Sequence, residues 1–106
     1  MMTAYAVFIR EETLDQSELA TYTAKLKESW SSFEACSLEL LAANGNQEVI
    51  EGSEVEGVVL LKFPSVELAR QWYHSPSYQA LVEHRLKGGK FRSIIFAGID
   101  SDSSGK

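Results

Sequence analysis

Residues capable of acid–base or ligand-binding chemistry are concentrated between Phe63 and Arg85. Within that segment Ser75-Pro76 interrupts an apolar helical pattern, and serine followed by proline is typical of the start of a new helix. Such a break presents the side chains on either side of it around one corner of the domain. The side chains concerned are Trp72, Tyr73, His74 and Tyr78. We interpret this corner as the wall of a small-molecule pocket.

The candidate catalytic residues are His74 and its neighbour Tyr73. Histidine titrates near neutral pH and can therefore act as a general acid or base. The alternative for His74 is a solvent-exposed position on a surface loop. His84, between Glu83 and Arg85, is expected to be solvated or to cap a helix. The two histidines lie on opposite sides of the proline break, and no Cys, His, Asp or Glu lies at ligand spacing, so we predict no metal and no cofactor.

The candidate ligand-binding residues are aromatic or carry a guanidinium group. They are Trp72, Tyr78, Arg85, Arg70, Tyr5 and Tyr22. A guanidinium suits a ligand carboxylate, and the alternative for either arginine is an ion pair with a nearby glutamate. Core packing is the alternative for Trp72, whereas a buried tyrosine hydroxyl must find a hydrogen-bond partner. Ordinary core or rim positions are the alternative for Tyr5 and Tyr22.

Length and charge exclude several classes of partner. The chain has 106 residues, the size of one domain, and a formal net charge of −5 at pH 7, which disfavours nucleic acid and anionic membranes. No apolar stretch approaches the ~20 residues that span a bilayer. No basic region followed by an apolar core opens the chain, so we expect a cytoplasmic protein.

The single cysteine, Cys36, excludes an intramolecular disulfide and is expected to be a buried small apolar residue.

The elements that must position these residues follow from hydrophobic periodicity. Residues 4–10, 58–63 and 91–99 are apolar on both faces and are predicted to be strands. Apolar residues at spacings of three and four predict a helix over residues 16–33, with Asp15 as N-cap and Glu18 as the reciprocal capping carboxylate. Alternation over residues 36–43 predicts a further strand. Asn44-Gly45 suits a tight hairpin turn, after which residues 48–51 are expected to return as a short edge strand.

Two shorter helices are predicted after Phe63. Ser65 and Ser75 are their expected N-caps, and Gly88-Gly89 ends the second helix. The inward stripe of that second helix is expected to consist of Tyr78, Leu81, Val82 and Leu86. Residues 100–106 contain nothing to bury and are expected to form a disordered tail after a single domain over residues 1–99.

The order of the elements predicts an α+β fold of the ferredoxin-like type, βαββαβ, with a four-stranded antiparallel sheet. Right-handed crossovers place both helical regions on one face of that sheet. The other face is left uncovered, yet the first, third and last strands carry apolar side chains on both faces, Val7, Leu60 and Ile94 on one and Phe8, Leu61 and Ile95 on the other. We therefore expect a homodimer in which two sheets pack face to face, a dimeric α+β barrel.

The same segment carries a family resemblance. F-P-S-x-E-x-A-R-x-W-Y-x-S-P-x-Y-Q-x-L over residues 63–81, followed by Arg85, resembles the bacterial domain-of-unknown-function family 1330 of the dimeric α+β barrel superfamily. Weaker similarity in E-V-I-E-G and A-Y-A-V-F-I extends it over residues 4–99. The resemblance implies a homodimer with one pocket per subunit between sheet and helices, and no particular activity. Family members usually carry a Tyr-Gly-Gly-Arg-like turn before the second strand, but no arginine lies between Arg10 and Arg70 here.

Two functional hypotheses follow. In the first, the pocket binds a small metabolite. In the second, it belongs to a cofactor-independent acid–base enzyme, of the isomerase or monooxygenase type, acting on a small aromatic or polyketide-like substrate. His74 with Tyr73 or Tyr78 would then transfer protons, and Arg85 would orient an anionic group. The missing strand arginine and the lack of a paired acid and base favour the binding hypothesis.

Overall fold

The computed structural model describes residues 3–99. Its elements are β1 (Ala4–Thr13), α1 (Gln16–Ser29), a 3-10 segment (Trp30–Cys36), β2 (Glu39–Ala43), β3 (Gly57–Phe63), α2 (Val66–His74), α3 (Pro76–Gly88) and β4 (Gly89–Ala97). Within the described residues, four strands form one antiparallel sheet in the order β2-β3-β1-β4. The predicted α+β fold is confirmed. The tail expected over residues 100–106 lies outside the described part of the chain.

Ser75 ends α2 and begins α3. Its hydroxyl donates to the carbonyl of Trp72 at 2.7 Å and accepts the N–H of Tyr78 at 3.3 Å. Pro76 occupies the first turn of α3, where its missing N–H costs no hydrogen bond. The predicted helix break is confirmed.

The start of α1 differs from the predicted capping arrangement. Asp15 is the N-cap and accepts the N–H groups of Ser17 and Glu18. Glu18 does not return to Asp15, because its Oε1 accepts a hydrogen bond from Nδ1 of His84 on α3 at 2.7 Å. The N–H of Asp15 donates instead to the carbonyl of Gly88 at 3.0 Å. Contacts with α3 replace the local capping box, and His84 joins two helices rather than facing solvent alone.

The region between α1 and β3 also departs from the predicted pattern. The α-helix ends at Ser29, and the 3-10 segment contains half-buried Cys36, so β2 begins only at Glu39. The strand predicted over residues 48–51 is wrong, because this segment has no regular structure. Its two apolar residues are adjacent rather than alternating, so they offer no face to bury, and Ile50 is 87% exposed.

The sheet has two unlike faces. On the helix-covered face, β1 presents buried Ala4, Ala6 and Phe8 to the core. On the other face, Val7 of β1 lies between Leu60 of β3 and Ile94 of β4 in the strand register. Ile94 is 46% exposed although it belongs to this apolar stripe. The helices therefore leave an apolar sheet face uncovered.

One inward residue was predicted wrongly. Leu86 was expected in the inward stripe of α3, but it is 57% exposed. Buried Arg85 occupies the inward position next to it, beside buried Leu81 and Val82. An arginine is therefore turned inward while the adjacent leucine faces solvent, and this exchange shapes the site described next.

Candidate functional site

A cavity of about 390 Å³ lies between α1 and the inner face of the sheet. Pockets for small molecules typically measure about 300–1,000 Å³. The sheet side of the cavity is apolar and is formed by Phe8, Leu40, Val59, Leu61 and Phe91. The helix side is formed by Tyr22, Thr23, Leu26, Lys27 and Trp30. The cavity is therefore large enough for a small aromatic molecule and chemically suited to one.

The position of α1 explains why the cavity is open. The stripe predicted to pack on the sheet is only half-buried at Tyr22, Leu26 and Trp30, and no residue of α1 is fully buried. Phe33, in the following 3-10 segment, is buried and packs its ring 5.9 Å from that of Trp72. The helix is thus held away from the sheet along its middle while the chain after it enters the core.

Arg85 is the unusual residue of this site. It is 3% exposed and lines the cavity, with its guanidinium carbon 5.3 Å from the ring centroid of Phe8 and 5.0 Å from that of Phe91. One terminal nitrogen lies 3.4 Å from Oγ of Ser93, and Nε has no hydrogen-bond partner within the described chain. The ion pair with a glutamate is not formed among residues 3–99. A buried cation normally has a paired anion.

Trp72 serves both the core and the cavity. It is 2% exposed, and its ring packs 4.2 Å from the ring of Tyr78 and 6.0 Å edge-on to Phe8. It also lines the cavity, and its buried Nε1 has no hydrogen-bond partner among residues 3–99. The indole N–H usually finds an acceptor when it is buried. Trp72 is therefore, with Arg85, a second cavity-lining residue that has a buried and unsatisfied donor.

Tyr22 and Tyr78 meet beside the cavity. Their hydroxyl oxygens lie 2.7 Å apart, and their rings stand nearly perpendicular at 6.3 Å. Burial is the main cause that raises the pKa of both phenols above the ordinary value of 10.0, and the nearby cation of Arg85 opposes this only in part. Both groups are therefore neutral at physiological pH and can donate or accept a hydrogen bond, but neither is a ready base.

The structure places the other four candidate residues away from the cavity lining. His74 is exposed at the end of α2, and Tyr73 is half-buried with its ring 5.2 Å from that of His74. Arg70 is exposed on α2. Tyr5 lies on the uncovered face of the sheet, with its ring 5.6 Å from that of Phe96. Arg85, Trp72 and Tyr22 are brought together at the cavity, and Tyr78 contacts both Trp72 and Tyr22 without lining the cavity itself.

Sequence reasoning missed the two phenylalanines that hold Arg85. Phe8 and Phe91 lie on neighbouring antiparallel strands, and Phe91 is paired with Arg10, two residues from Phe8 on the same face. Only the register of β1 with β4 brings them to one guanidinium. The available signal was the presence of an aromatic residue near one end of each strand, which identifies no partner by itself.

The described residues contain neither a membrane-spanning helix nor a metal-binding cluster. No helix between residues 3 and 99 is long and apolar enough to cross a bilayer. Within the same range, no three or more His, Cys, Asp or Glu side chains are grouped so that they could hold a metal ion.

Residues 3–99 match the model of a family described as a domain of unknown function, DUF1330. The chain belongs to this family. The family resemblance and the fold expected from the sequence are thereby confirmed. None of the curated proteins compared with this DUF1330 protein matches it.

Solved structures share the fold of this DUF1330 protein at low sequence identity. The RPA0582 protein of unknown function from Rhodopseudomonas palustris has a TM-score of 0.70 and 15% identity, covering 93% of this chain and 84% of its own. A dimeric ferredoxin-like protein of unknown function from Jannaschia sp. has a TM-score of 0.68 and 12% identity, with coverages of 89% and 97%. SnoaB, a cofactor-independent oxygenase from Streptomyces nogalater, has a TM-score of 0.57 and 9% identity, with coverages of 94% and 96%.

Proposed function

We propose that this DUF1330 protein binds a small, largely apolar molecule in the cavity between α1 and the sheet. The observation that carries the proposal is the cavity of about 390 Å³, which is walled mainly by apolar side chains and lined by Trp72 and Arg85, two residues that each have a buried donor without a partner among residues 3–99. Protein interiors are otherwise close-packed. A domain with a purely structural role would fill such a space with its own side chains and would pair such donors.

Tryptophan fluorescence of the protein itself can report whether a compound binds in the cavity. Its sequence contains two tryptophans, Trp30 and Trp72, and both line the cavity. A panel of small aromatic and branched aliphatic compounds, with and without an acidic group, should include members that change the tryptophan fluorescence saturably. The same compounds should raise the midpoint temperature of thermal unfolding, because a ligand that binds only the folded state stabilises that state.

A pair of variants locates the binding. Leu26→Phe places additional volume in the cavity and should abolish the fluorescence change, whereas Leu86→Phe changes an exposed leucine on α3 and should leave it intact. If no compound of the panel acts on the wild-type protein, or if Leu26→Phe binds as well as Leu86→Phe, the proposed binding site is wrong.

We further propose that the protein is a homodimer through the uncovered face of its sheet. That face presents Val7, Leu60 and Ile94 in adjacent register, and Phe96 beside them is 43% exposed. Burying about 800 Å² per partner would contribute roughly 20 kcal/mol of gross hydrophobic free energy at about 25 cal/mol per Å². Association entropy and polar desolvation offset much of this gain. The Jannaschia protein of the same fold is described as dimeric, which supports the proposal.

A second candidate function is cofactor-independent catalysis in the same cavity. It is favoured by the hydrogen-bonded hydroxyls of Tyr22 and Tyr78 next to Arg85, since a neutral phenol can donate a hydrogen bond to a developing oxyanion. SnoaB shows that this fold also occurs in an enzyme described as a cofactor-independent oxygenase.

Product analysis separates the two functions. Any compound that binds should be recovered after long incubation, with chromatography showing whether it has been converted. Under the catalytic hypothesis, Tyr22→Phe should lose conversion while retaining the fluorescence change. Loss of conversion in His74→Ala or Tyr73→Phe would instead support the pair expected from the sequence. Recovery of every bound compound unchanged would leave binding as the function.

A further inference from the structure

We propose that the cavity selects a carboxylate carried on a small apolar body, and that Arg85 is the residue that holds the carboxylate. This inference rests on the proposed function and specifies the chemical class of the ligand. It starts from two residues that line the cavity, Arg85 and Trp72, because each has a buried nitrogen, Nε and Nε1 respectively, without a hydrogen-bond partner among residues 3–99. Both are hydrogen-bond donors. A ligand that satisfies them must therefore supply acceptors.

The charges around the cavity point to an anion. Of the residues that line it, the charged ones are Lys27 and Arg85, and both are cations. The chain as a whole has a formal net charge of −5, so this positive lining is a local feature. Lys27 lies on the exposed side of α1, whereas Arg85 is 3% exposed. Arg85 therefore supplies the buried positive charge of the cavity lining.

The groups that surround Arg85 do not neutralise it. Phe8 and Phe91 stabilise the cation through their ring faces. Ser93 offers a neutral oxygen at 3.4 Å. The phenols of Tyr22 and Tyr78 are uncharged at neutral pH, and burial raises the pKa of each further above that range. No group of the described chain thus supplies the negative charge, and a bound anion would supply it.

The geometry of the cation favours a carboxylate. Arginine presents its N–H groups as a planar fork that matches two carboxylate oxygens. The remaining wall is formed by apolar side chains such as Leu26, Val59 and Leu61. A singly charged carboxylic acid with a ring-sized apolar body satisfies both parts of the cavity.

Matched ligands provide the test. Wild-type protein is titrated with benzoate, phenylacetate, 3-phenylpropanoate and cyclohexanecarboxylate, and with the neutral amide of each, while tryptophan fluorescence is followed. At least one carboxylate should bind about tenfold or more tightly than its amide, the discrimination expected of a charge-assisted hydrogen bond. This comparison needs no variant and is therefore independent of how any variant folds.

Two variants then test whether Arg85 causes the preference for a carboxylate over its amide. Arg85→Met keeps an unbranched side chain but removes the guanidinium and its charge, so carboxylate and amide should bind equally, with circular dichroism confirming the fold. Arg70→Met makes the same change at an exposed arginine outside the cavity lining and should retain the preference. If amides bind wild-type protein as tightly as their carboxylates, the carboxylate inference is wrong while the proposed function stands. If neither series binds, both the inference and the proposed function are wrong.

Discussion

The hydroxyl oxygens of Tyr22 on α1 and Tyr78 on α3 lie 2.7 Å apart, beside the cavity. Tyr78 is fully buried and belongs to the core, whereas Tyr22 is half-buried and belongs to the cavity wall. This hydrogen bond therefore joins the packed part of the domain to the part that is left open. It is also one of the contacts between α1 and α3, and these contacts hold α1 in its position away from the sheet.

Removing one hydroxyl of the pair should destabilise the protein, because the other remains buried without its phenol partner. Tyr22→Phe and Tyr78→Phe are each expected to lower the free energy of unfolding by about 1–2 kcal/mol. The double variant should lose less than the sum of the two, since no lone hydroxyl is left behind. Urea denaturation of the three variants measures this coupling. Strictly additive losses would show that the two hydroxyls do not interact.

Stability should fall at alkaline pH. Burial raises the pKa of Tyr22 and Tyr78 above the ordinary 10.0, so the folded protein keeps two protons that the unfolded chain loses above that pH. The contribution of this difference to stability is complete below pH 10.0 and is lost as the pH rises further. The free energy of unfolding should decline in that range, with tyrosinate absorbance increasing as the protein unfolds. A Tyr22→Phe/Tyr78→Phe double variant should show a shallower decline, and an equal slope would contradict the assignment.

Gly88 is expected to tolerate no side chain. A Cβ at this position would lie 2.6 Å from Cδ2 and 3.0 Å from the backbone nitrogen of Leu19, so α1 would have to move away from α3. Gly88→Ala should cost about 1–3 kcal/mol, as for other overpacked sites. Gly45 has no atom within 4 Å of such a Cβ, and Gly45→Ala should change stability by less than about 0.5 kcal/mol. Urea denaturation compares the two, and similar values for both would disprove the close helix contact.

Charge on the uncovered sheet face should prevent dimer formation. Ile94 is 46% exposed opposite Val7 in the apolar stripe, and Ile94→Lys would place an ammonium group there. Sedimentation at micromolar concentration should give a dimer for wild type and a monomer for this variant. Leu86→Lys is the control, because Leu86 is an exposed leucine on α3, outside the sheet. A monomeric wild-type protein would contradict the proposed interface.

Helix boundaries were predictable where local chemistry sets them. Ser75-Pro76 and Asp15 act on backbone groups within three residues of themselves, and each begins a helix at the expected position. The segment between β2 and β3 was less predictable. Its Val49-Ile50 pair resembled a strand in composition, yet strand formation needs an apolar face and a neighbouring strand edge, and the segment has no regular structure.

The candidate site was predicted in part. The residues expected to bind a ligand include Arg85, Trp72 and Tyr22, all of which line the cavity, whereas His74 and Tyr73 lie outside the lining. Helical periodicity predicts which side of α2 or α3 a residue occupies. It does not show how far another helix stands from the sheet, and that distance is what opens the cavity.

The amino-acid sequence by itself determined the order of the elements, the ends of the helices around Ser75 and the apolar character of both sheet faces, because these depend on local propensity and periodicity. Only the tertiary structure decided the partners of the polar side chains. Tyr22 meets Tyr78 across 56 residues and Glu18 meets His84 across 66, while Arg85 is enclosed by phenylalanines from two strands. Such pairings depend on strand register and on the separation of helices, which local sequence patterns do not encode.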